Sequence, residues 1–565
     1  MMVGIVPDGV GGGWCAPLSD TGRPAGASWH AADLAGAVAE VERRDRPRWV
    51  WPSTAAIYPP LLRAGVRVER CHDIELTEAL LLGYVGRWGE PRGLAAAAAR
   101  LAGRPVPPDL PARQAAPPGD AQGALFETAL VEDPAADSAS LQELIEVYAD
   151  QRARLAEVAE PGRFRLLVAT ESASALVAGE MGHHGLPWRV DVHTELLRDL
   201  LGEPSPVGGP PRRLAELTAA IGAALGDERL HPESPAEVVR AFTRVGISLP
   251  STRAWVLRGI DHPAVPLLLE FKELYRIWTA HGWAWRDQWI HNGRFRAEYV
   301  PAGVVSGRWA SRGGGALQIP RVIRRAVVAD PGWVFVVADA GQLEPRILAA
   351  VSGDERLAAA GASGDLYAAL ATDAFDGDRA KAKVAMLGAM YGQTGGNAIP
   401  ALAALRQFYP VAWELVEQAA RTGEEGGAVR SWLGRTSPVP RDWPPAGMVS
   451  ARSERSEPRS REQGQALASA RARGRFTRNF VVQATAAEWA NTLLATLRGL
   501  IRDYEAELVF FQHDEVLVHC PAGGADDVVT AVHEAGERAR ALLFGETPVR
   551  FPLGVSTVEC YADAK

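Results

Sequence analysis

The sequence predicts a mixed α/β chain of more than one domain. Three observations carry this: its length and residue balance, short apolar runs interleaved with helix-period patterns, and a Pro- and Ala-rich break over residues 106–140. A chain of 565 residues with 47% hydrophobic and 23% charged positions has enough apolar material for two or more cores. Before the break, short apolar runs and an Ala-rich helix near residues 93–101 describe a small α/β unit. The break itself, VPPDLPARQAAPPGDAQGALFETALVEDPAADSAS, reads as a linker or irregular segment. Beyond it, LQELIEVYADQRARLAEV and PLLLEFKELYRIWTA read as helices, the latter with apolar residues at helical spacing. No repeat of fixed period is found.

Composition excludes several classes. The four cysteines, Cys15, Cys71, Cys520 and Cys560, form no C-x-x-C pair, which argues against a zinc site or a disulfide framework and fits a reducing cytoplasm. The N-terminus has no basic n-region, and nowhere do 18 apolar residues run uninterrupted, so neither export nor a membrane span is expected. A net charge of −8 does not advertise a polyanion partner, but residues 451–478 hold eight Arg against three Glu. That stretch reads equally as a solvated loop or as a nucleic-acid contact. All but four of the 60 basic residues are Arg; the lysines are Lys272, Lys381, Lys383 and Lys565. Two lysines in one short helix of so Arg-rich a chain point to a site that wants a compact ammonium.

Residues 332–354, GWVFVVADAGQLEPRILAAVSGD, begin with a continuous apolar run that reads as a buried strand ending at Asp339. Gly341 then marks a tight turn, and Pro345 sits in the first turn of the following helix, where a missing N–H costs little. Residues 510–519, FFQHDEVLVH, read as two hairpin arms with Asp514 and Glu515 at the tip. Asp is favoured in any turn, so these acids gain meaning only with a partner elsewhere. An acid at a strand end and another at a hairpin tip can meet across one sheet, where they share a proton or hold cations. In DRAKAKVAMLGAMYGQTGG, residues 378–396, Arg379, Lys383, Leu387 and Tyr391 recur every four residues along one helix face. Such a stripe can hold phosphates at its cationic end and stack on a base at its aromatic end.

These stretches resemble the motifs of the family A DNA polymerases. DAGQLEPRILA is similar to the family's first motif, RAKAKVAMLGAMYG to the Arg/Lys/Tyr-Gly motif of its fingers helix, and HDE at residues 513–515 to its hairpin motif. SGRWAS at 306–311 and RFTRNFVVQATAAEWA at 475–490 resemble two lesser motifs, and all five fall in the family's order. The resemblance covers roughly the C-terminal two-thirds closely. It implies an α/β (α+β) right-hand fold with palm, fingers and thumb, preceded by a small RNase H-like exonuclease-type domain. The boundaries it implies are 1–150 for that domain, 151–305 for thumb and start of palm, 306–350 for palm, 351–480 for fingers and 481–565 for palm.

The implied activity is DNA-directed DNA synthesis from deoxynucleoside triphosphates on primer-template DNA, by a cytoplasmic monomer serving repair or gap filling. By this resemblance Asp339, the Ala340 carbonyl and Asp514 hold two Mg²⁺ ions, for which Mn²⁺ can substitute. Arg379 and Lys383 hold the triphosphate, and Lys383 is the proton donor to pyrophosphate, a task an ammonium suits better than a guanidinium. Gln342, Glu344, Leu387 and Tyr391 complete the nucleotide site, with Glu344 closing over the sugar. Arg308, Arg475, Asn479, Gln483, His513 and Glu515 contact the DNA. Leu387 stands where the family has an aromatic residue, Met386 where it has Asn, and Tyr367 where it often has His, which puts nucleotide affinity and discrimination in question.

The family's exonuclease needs four carboxylates, but the first strand region offers only Asp8, and WVWPSTAAIYPPLLRAG has no acid. An inactive exonuclease fold without proofreading is therefore expected, with no room for a 5′-nuclease domain. Two alternatives stay open. A phage-type single-subunit RNA polymerase shares the metal acids but needs no bulky acid at Glu344. A non-catalytic nucleic-acid-binding remnant explains the Arg-rich stretch but not the joint presence of Asp339, Asp514 and Lys383.

Overall fold

The computed structural model describes residues 1–109, 134–205, 208–315, 317, 319–392, 398–440 and 461–564, with backbone alone at 134–139, 398–401 and 461–464. Most of the expected linker, and residues 451–460 of the Arg-rich stretch, lie outside the described residues. The chain divides into two compact units. One comprises Met1–His183, Tyr299–Ala310 and Ala338–Val555; the other comprises His184–Glu298, Ser311–Val337 and Ser556–Lys565.

The first unit opens with a five-stranded mixed sheet. Its order is Trp29–Ala31, Gly13–Leu18, Met2–Pro7, Arg48–Trp51, Arg70–Asp73, antiparallel over the first two pairings and parallel over the last two. Trp49, Val50 and Trp51 are all buried, as strands covered on both faces require. One face packs Val3, Ile5, Trp49 and Trp51 against Tyr58 and Leu61. The other packs Met2, Val6 and Val50 against Leu144, Ile145 and Tyr148. Those last three residues belong to the helix Pro134–Glu157, which corrects the reading of residues 134–140 as irregular. Pro is tolerated in a first helical turn, and the apolar face that follows gives the helix a core to bind.

The same unit contains the 40-residue helix Arg461–Leu500, whose far end is anchored by a buried guanidinium. Arg498 donates to the Glu180 carboxylate at 2.7 Å and to the Glu69 carbonyl at 2.7 Å. Burial alone would raise the Glu180 carboxyl, but Arg498 and Arg67 carry it down to about 2.

A four-stranded sheet follows the order Glu507–Gln512, Glu515–Pro521, Trp333–Ala340, Leu553–Val558. The second unit is built on helices Val190–Leu201, Arg212–Leu225, Pro235–Arg244 and Ala264–His281. An aromatic cluster at its centre sets Trp188 5.3 Å from Trp285 and 5.8 Å from Phe295 between ring centroids.

Candidate active site

The expected hairpin forms, with arms Glu507–Gln512 and Glu515–Pro521 and only His513 and Asp514 between the paired Gln512 and Glu515. So tight a turn needs a residue in the left-handed region, and His513 takes it at φ 59°. Phe510 and Leu517, paired across the arms, are fully buried, so register is fixed by the core. The Asp514 carbonyl accepts from the Ala340 N–H at 3.1 Å, which brings the hairpin tip to the end of the Trp333–Ala340 strand. Asp339 and Asp514 are both half-buried, whereas Glu515 is buried.

The strand runs to Ala340, one residue past the expected end at Asp339. The tight turn is also made differently. Gly341 does not have a positive φ; Gln342 is the left-handed residue at φ 58° and caps the helix Leu343–Val351. Its side chain makes no cap hydrogen bond there. Instead its Nε2 donates to Asp365 at 2.7 Å and its Oε1 accepts from the Leu366 N–H at 2.8 Å. These bonds explain why a non-glycine residue is held in an uncommon conformation.

Glu344, in the first turn of that helix, joins three parts of the chain. Its carboxylate accepts from Arg308 and from the Tyr391 hydroxyl at 2.6 Å. Burial first, then the Glu344 carboxylate, raises the Tyr391 phenol, and the nearby Gln483 side chain opposes that rise. Arg308 is delivered by its neighbour Trp309. That ring packs edge-on against Tyr299 and Phe511, with centroids at 5.3 and 5.1 Å, and its Nε1 donates to Asn491 at 3.0 Å. Burial, and then the proximity of Arg308, depresses the His513 imidazole.

The helix Arg379–Tyr391 is capped by Asp378 and closed by Gly392 in the left-handed region. Along its face Arg379 and Lys383 are exposed, and Leu387 and Tyr391 half-buried; Met386 is fully buried. Arg379 pairs with Asp365 at 2.8 Å and lies 5.7 Å over the Tyr367 ring. Burial would raise the Asp365 carboxyl, but hydrogen bonds from Arg379 and Gln342 bring it down to about 2. Burial, and then Glu344, pushes Tyr367 up to about 12, so this residue brings a neutral hydroxyl where a His could bring charge. On the long helix, Arg475 is exposed and Asn479 and Gln483 half-buried, on one face, while Arg473 and Arg478 turn inward. A Cβ on Gly392 would meet the Arg475 side chain at 2.8 Å, so that face lies against the end of the Arg379–Tyr391 helix.

Three residues that hold the site were not singled out from sequence. Asp365 ties Gln342 to Arg379. Trp309 docks the Arg308 segment. Arg346, fully buried, donates to the carbonyls of Gly361, Ser363, Gly364 and Arg550. The available signal was a charged residue on the apolar face of a helix, which demands buried partners.

The sequence model of the family described as DNA polymerase family A matches residues 211–558. The chain belongs to DNA polymerase family A. Among similar curated proteins, this family A chain is 28% identical to the DNA polymerase I, thermostable, of Thermus caldophilus, over 52% of this chain and 36% of that protein. It is 29% identical to the DNA polymerase I of Chloroflexus aurantiacus over 40% of this chain and 25% of that protein. The chain thus spans about a third of the length of the first of these relatives and a quarter of the second. The POL domain of Pol1 from M. smegmatis, solved in complex with DNA primer-template and dNTP, shares the fold. Its TM-score is 0.71 at 17% identity, covering 100% of this chain and 95% of that one.

The donor set of the family A chain suits a hard divalent cation. The Ala340–Asp514 backbone bond brings together the segments that carry two hard oxygen donors, Asp339 and Asp514, and among the described residues no group of three or more His, Cys, Asp or Glu could hold a metal. Mg²⁺ is ordinarily held by one or two carboxylates together with water and substrate phosphates.

Proposed function

We propose that this chain is a DNA-directed DNA polymerase that adds deoxynucleotides to a primer 3′-hydroxyl, with the 338–340 strand end and the 513–515 hairpin tip as its palm. The observation that supports it best is the hydrogen bond from Ala340 N–H to the Asp514 carbonyl, which joins the backbone segments carrying Asp339 and Asp514, some 170 positions apart in sequence. Asp339 and Asp514 would hold and orient divalent cations, which would make the primer hydroxyl more acidic and offset charge on the departing pyrophosphate. Arg379 and Lys383 project from the fingers helix toward the triphosphate, and Lys383 can release its proton where an Arg cannot. Glu344, fixed between Arg308 and Tyr391, stands where an added 2′-hydroxyl would meet a side chain that cannot swing away. Arg475, Asn479 and Gln483 line the template side; the buried Asn479 Oδ1 has no hydrogen-bond partner among the described residues.

Asp339→Ala and Asp514→Ala each abolish primer extension and leave binding of primer-template DNA largely intact, because phosphate contacts dominate affinity. Retention of more than about a tenth of wild-type extension, under ~1.4 kcal/mol of lost stabilisation, would overturn the assignment of the metal ligands. Glu515→Ala is milder.

The N-terminal sheet serves, on this reading, as a scaffold without exonuclease activity, consistent with gap filling or repair. Asp8, at the end of its first strand, accepts from the N–H groups of Val10 and Gly12 at 3.0 and 2.9 Å and pairs with His30. Its carboxylate is thus engaged by its own turn.

A further inference from the structure

The N-terminal sheet carries a cluster of arginines for which polymerisation gives no reason. Arg48 and Arg70 are direct partners in the register of the two parallel strands Arg48–Trp51 and Arg70–Asp73. Neighbouring strands lie about 4.8 Å apart, and like charges placed opposite each other destabilise a sheet. Among the described residues neither arginine is matched by a carboxylate. Arg48 donates to the Cys71 carbonyl and Arg70 to the Arg46 carbonyl. Arg152, from the helix Pro134–Glu157, is a third cation close by, and it too donates to a carbonyl, that of Asp20. Burial first, then Arg70 and more weakly Arg152, lower the pKa of Arg48, so these positive charges act on one another.

Arg48 and Arg70 line a cavity of about 240 Å³, walled otherwise by Ala, Leu, Thr and Cys71 side chains of the same unit. The Thr170, Thr492 and Thr496 hydroxyls on that wall donate back to their own helices, so the donors a ligand would meet are the guanidiniums. A low-polarity wall strengthens attraction between those cations and an anion. The volume suits a small oxyanion and is too small for a nucleotide.

We propose that Arg48 and Arg70 form a phosphate-binding site on the N-terminal domain, remote in sequence from the polymerase motifs, whose ligand neutralises the paired guanidiniums. Guanidinium forks match phosphate oxygens two at a time, which makes arginine the residue suited to the task. The phosphate group can come from free phosphate or pyrophosphate, or from a phosphodiester of a nucleic-acid strand lying over the cavity mouth.

Thermal unfolding of the full chain in phosphate-free buffer and with added inorganic phosphate or pyrophosphate, at constant ionic strength, tests this with Arg70→Gln, an exposed position that tolerates the change. Wild type gains Tm with the anion, and Arg70→Gln starts with an equal or higher Tm and gains markedly less. Arg152→Gln, farther from the cavity, gives an intermediate response. A second arm measures binding of a single-stranded oligonucleotide against salt. If the strand is the source, Arg70→Gln lowers affinity about 3- to 10-fold and reduces the salt slope by about one phosphate. If free anion is the source, the oligonucleotide curves superimpose while the Tm responses differ. Identical Tm responses and superimposed oligonucleotide curves together would overturn the proposal. So would an Arg70→Gln chain that is less stable than wild type and still gains the full anion response.

Discussion

Glu344 shows how a single side chain can serve several roles. A carboxylate in a first helical turn gains ~0.3–1 kcal/mol from the helix dipole wherever it points. Here it is also held by Arg308 and Tyr391, so its carboxylate is fixed from two sides. Glu344→Ala raises ribonucleotide relative to deoxyribonucleotide incorporation at least ~100-fold, about 2.7 kcal/mol of discrimination. Glu344→Gln keeps the bulk and an acceptor for Tyr391 and preserves most of the selectivity. Single-turnover incorporation of paired ribo- and deoxyribonucleotides measures both, and an unchanged sugar ratio in the Ala variant would reduce Glu344 to a helix-end charge. This residue was legible from its place after Asp339; its two partners were not, because they arrive from positions 308 and 391.

At the scale of elements, Arg346 decides whether the 341–366 region stays folded against the residues near Arg550. Its guanidinium satisfies the carbonyls of Gly361, Gly364 and Arg550, each at 2.7–2.8 Å, from a fully buried position. Arg346→Met leaves those carbonyls buried without a donor, each unmet group costing ~1–3 kcal/mol, for a total loss of at least about 3 kcal/mol in urea unfolding. Arg346→Lys recovers little, since an ammonium cannot reach several divergent carbonyls from one planar fork. Full stability in the Lys variant would show that charge alone matters there. The strand, helix and hairpin that present the acids were readable from apolar runs and turn residues. Gln342 as the left-handed residue was not, because Gly341 beside it is the usual choice and only the bonds to Asp365 and Leu366 favour its neighbour.

For the whole molecule, two measurements bear on the N-terminal sheet and on acid stability. Incubated with Mg²⁺ and a mismatched primer terminus, the protein releases no mononucleotide above background. Release that vanished on replacing Asp8, the one acid of the first-strand region, would show a working exonuclease. His72 and His193 are buried neutral, and burial drives each down to about 4. The unfolded chain takes up these protons near pH 6.5, so the contribution is complete above that pH and is lost as pH falls toward 4. Each contributes up to roughly 3 kcal/mol. Unfolding free energy therefore drops steeply between pH 6.5 and 4, and His72→Gln flattens part of that slope; an unaltered slope would place the acid sensitivity elsewhere.

The sequence by itself determined the family, the order of the motifs and the residue types at the site, since metal ligation and phosphate recognition demand carboxylates, Arg and Lys at spacings that strands, turns and helices impose locally. Helical phase alone put Arg379, Lys383, Leu387 and Tyr391 on one face, and the structure retains it. What only the tertiary structure decided is which of these groups touch: Asp514 against Ala340, Arg308 and Tyr391 on Glu344, Asp365 on Arg379, and Arg48 beside Arg70. Such pairs join segments tens to hundreds of residues apart, and their pairing follows from burial and sheet register, quantities a local pattern does not contain.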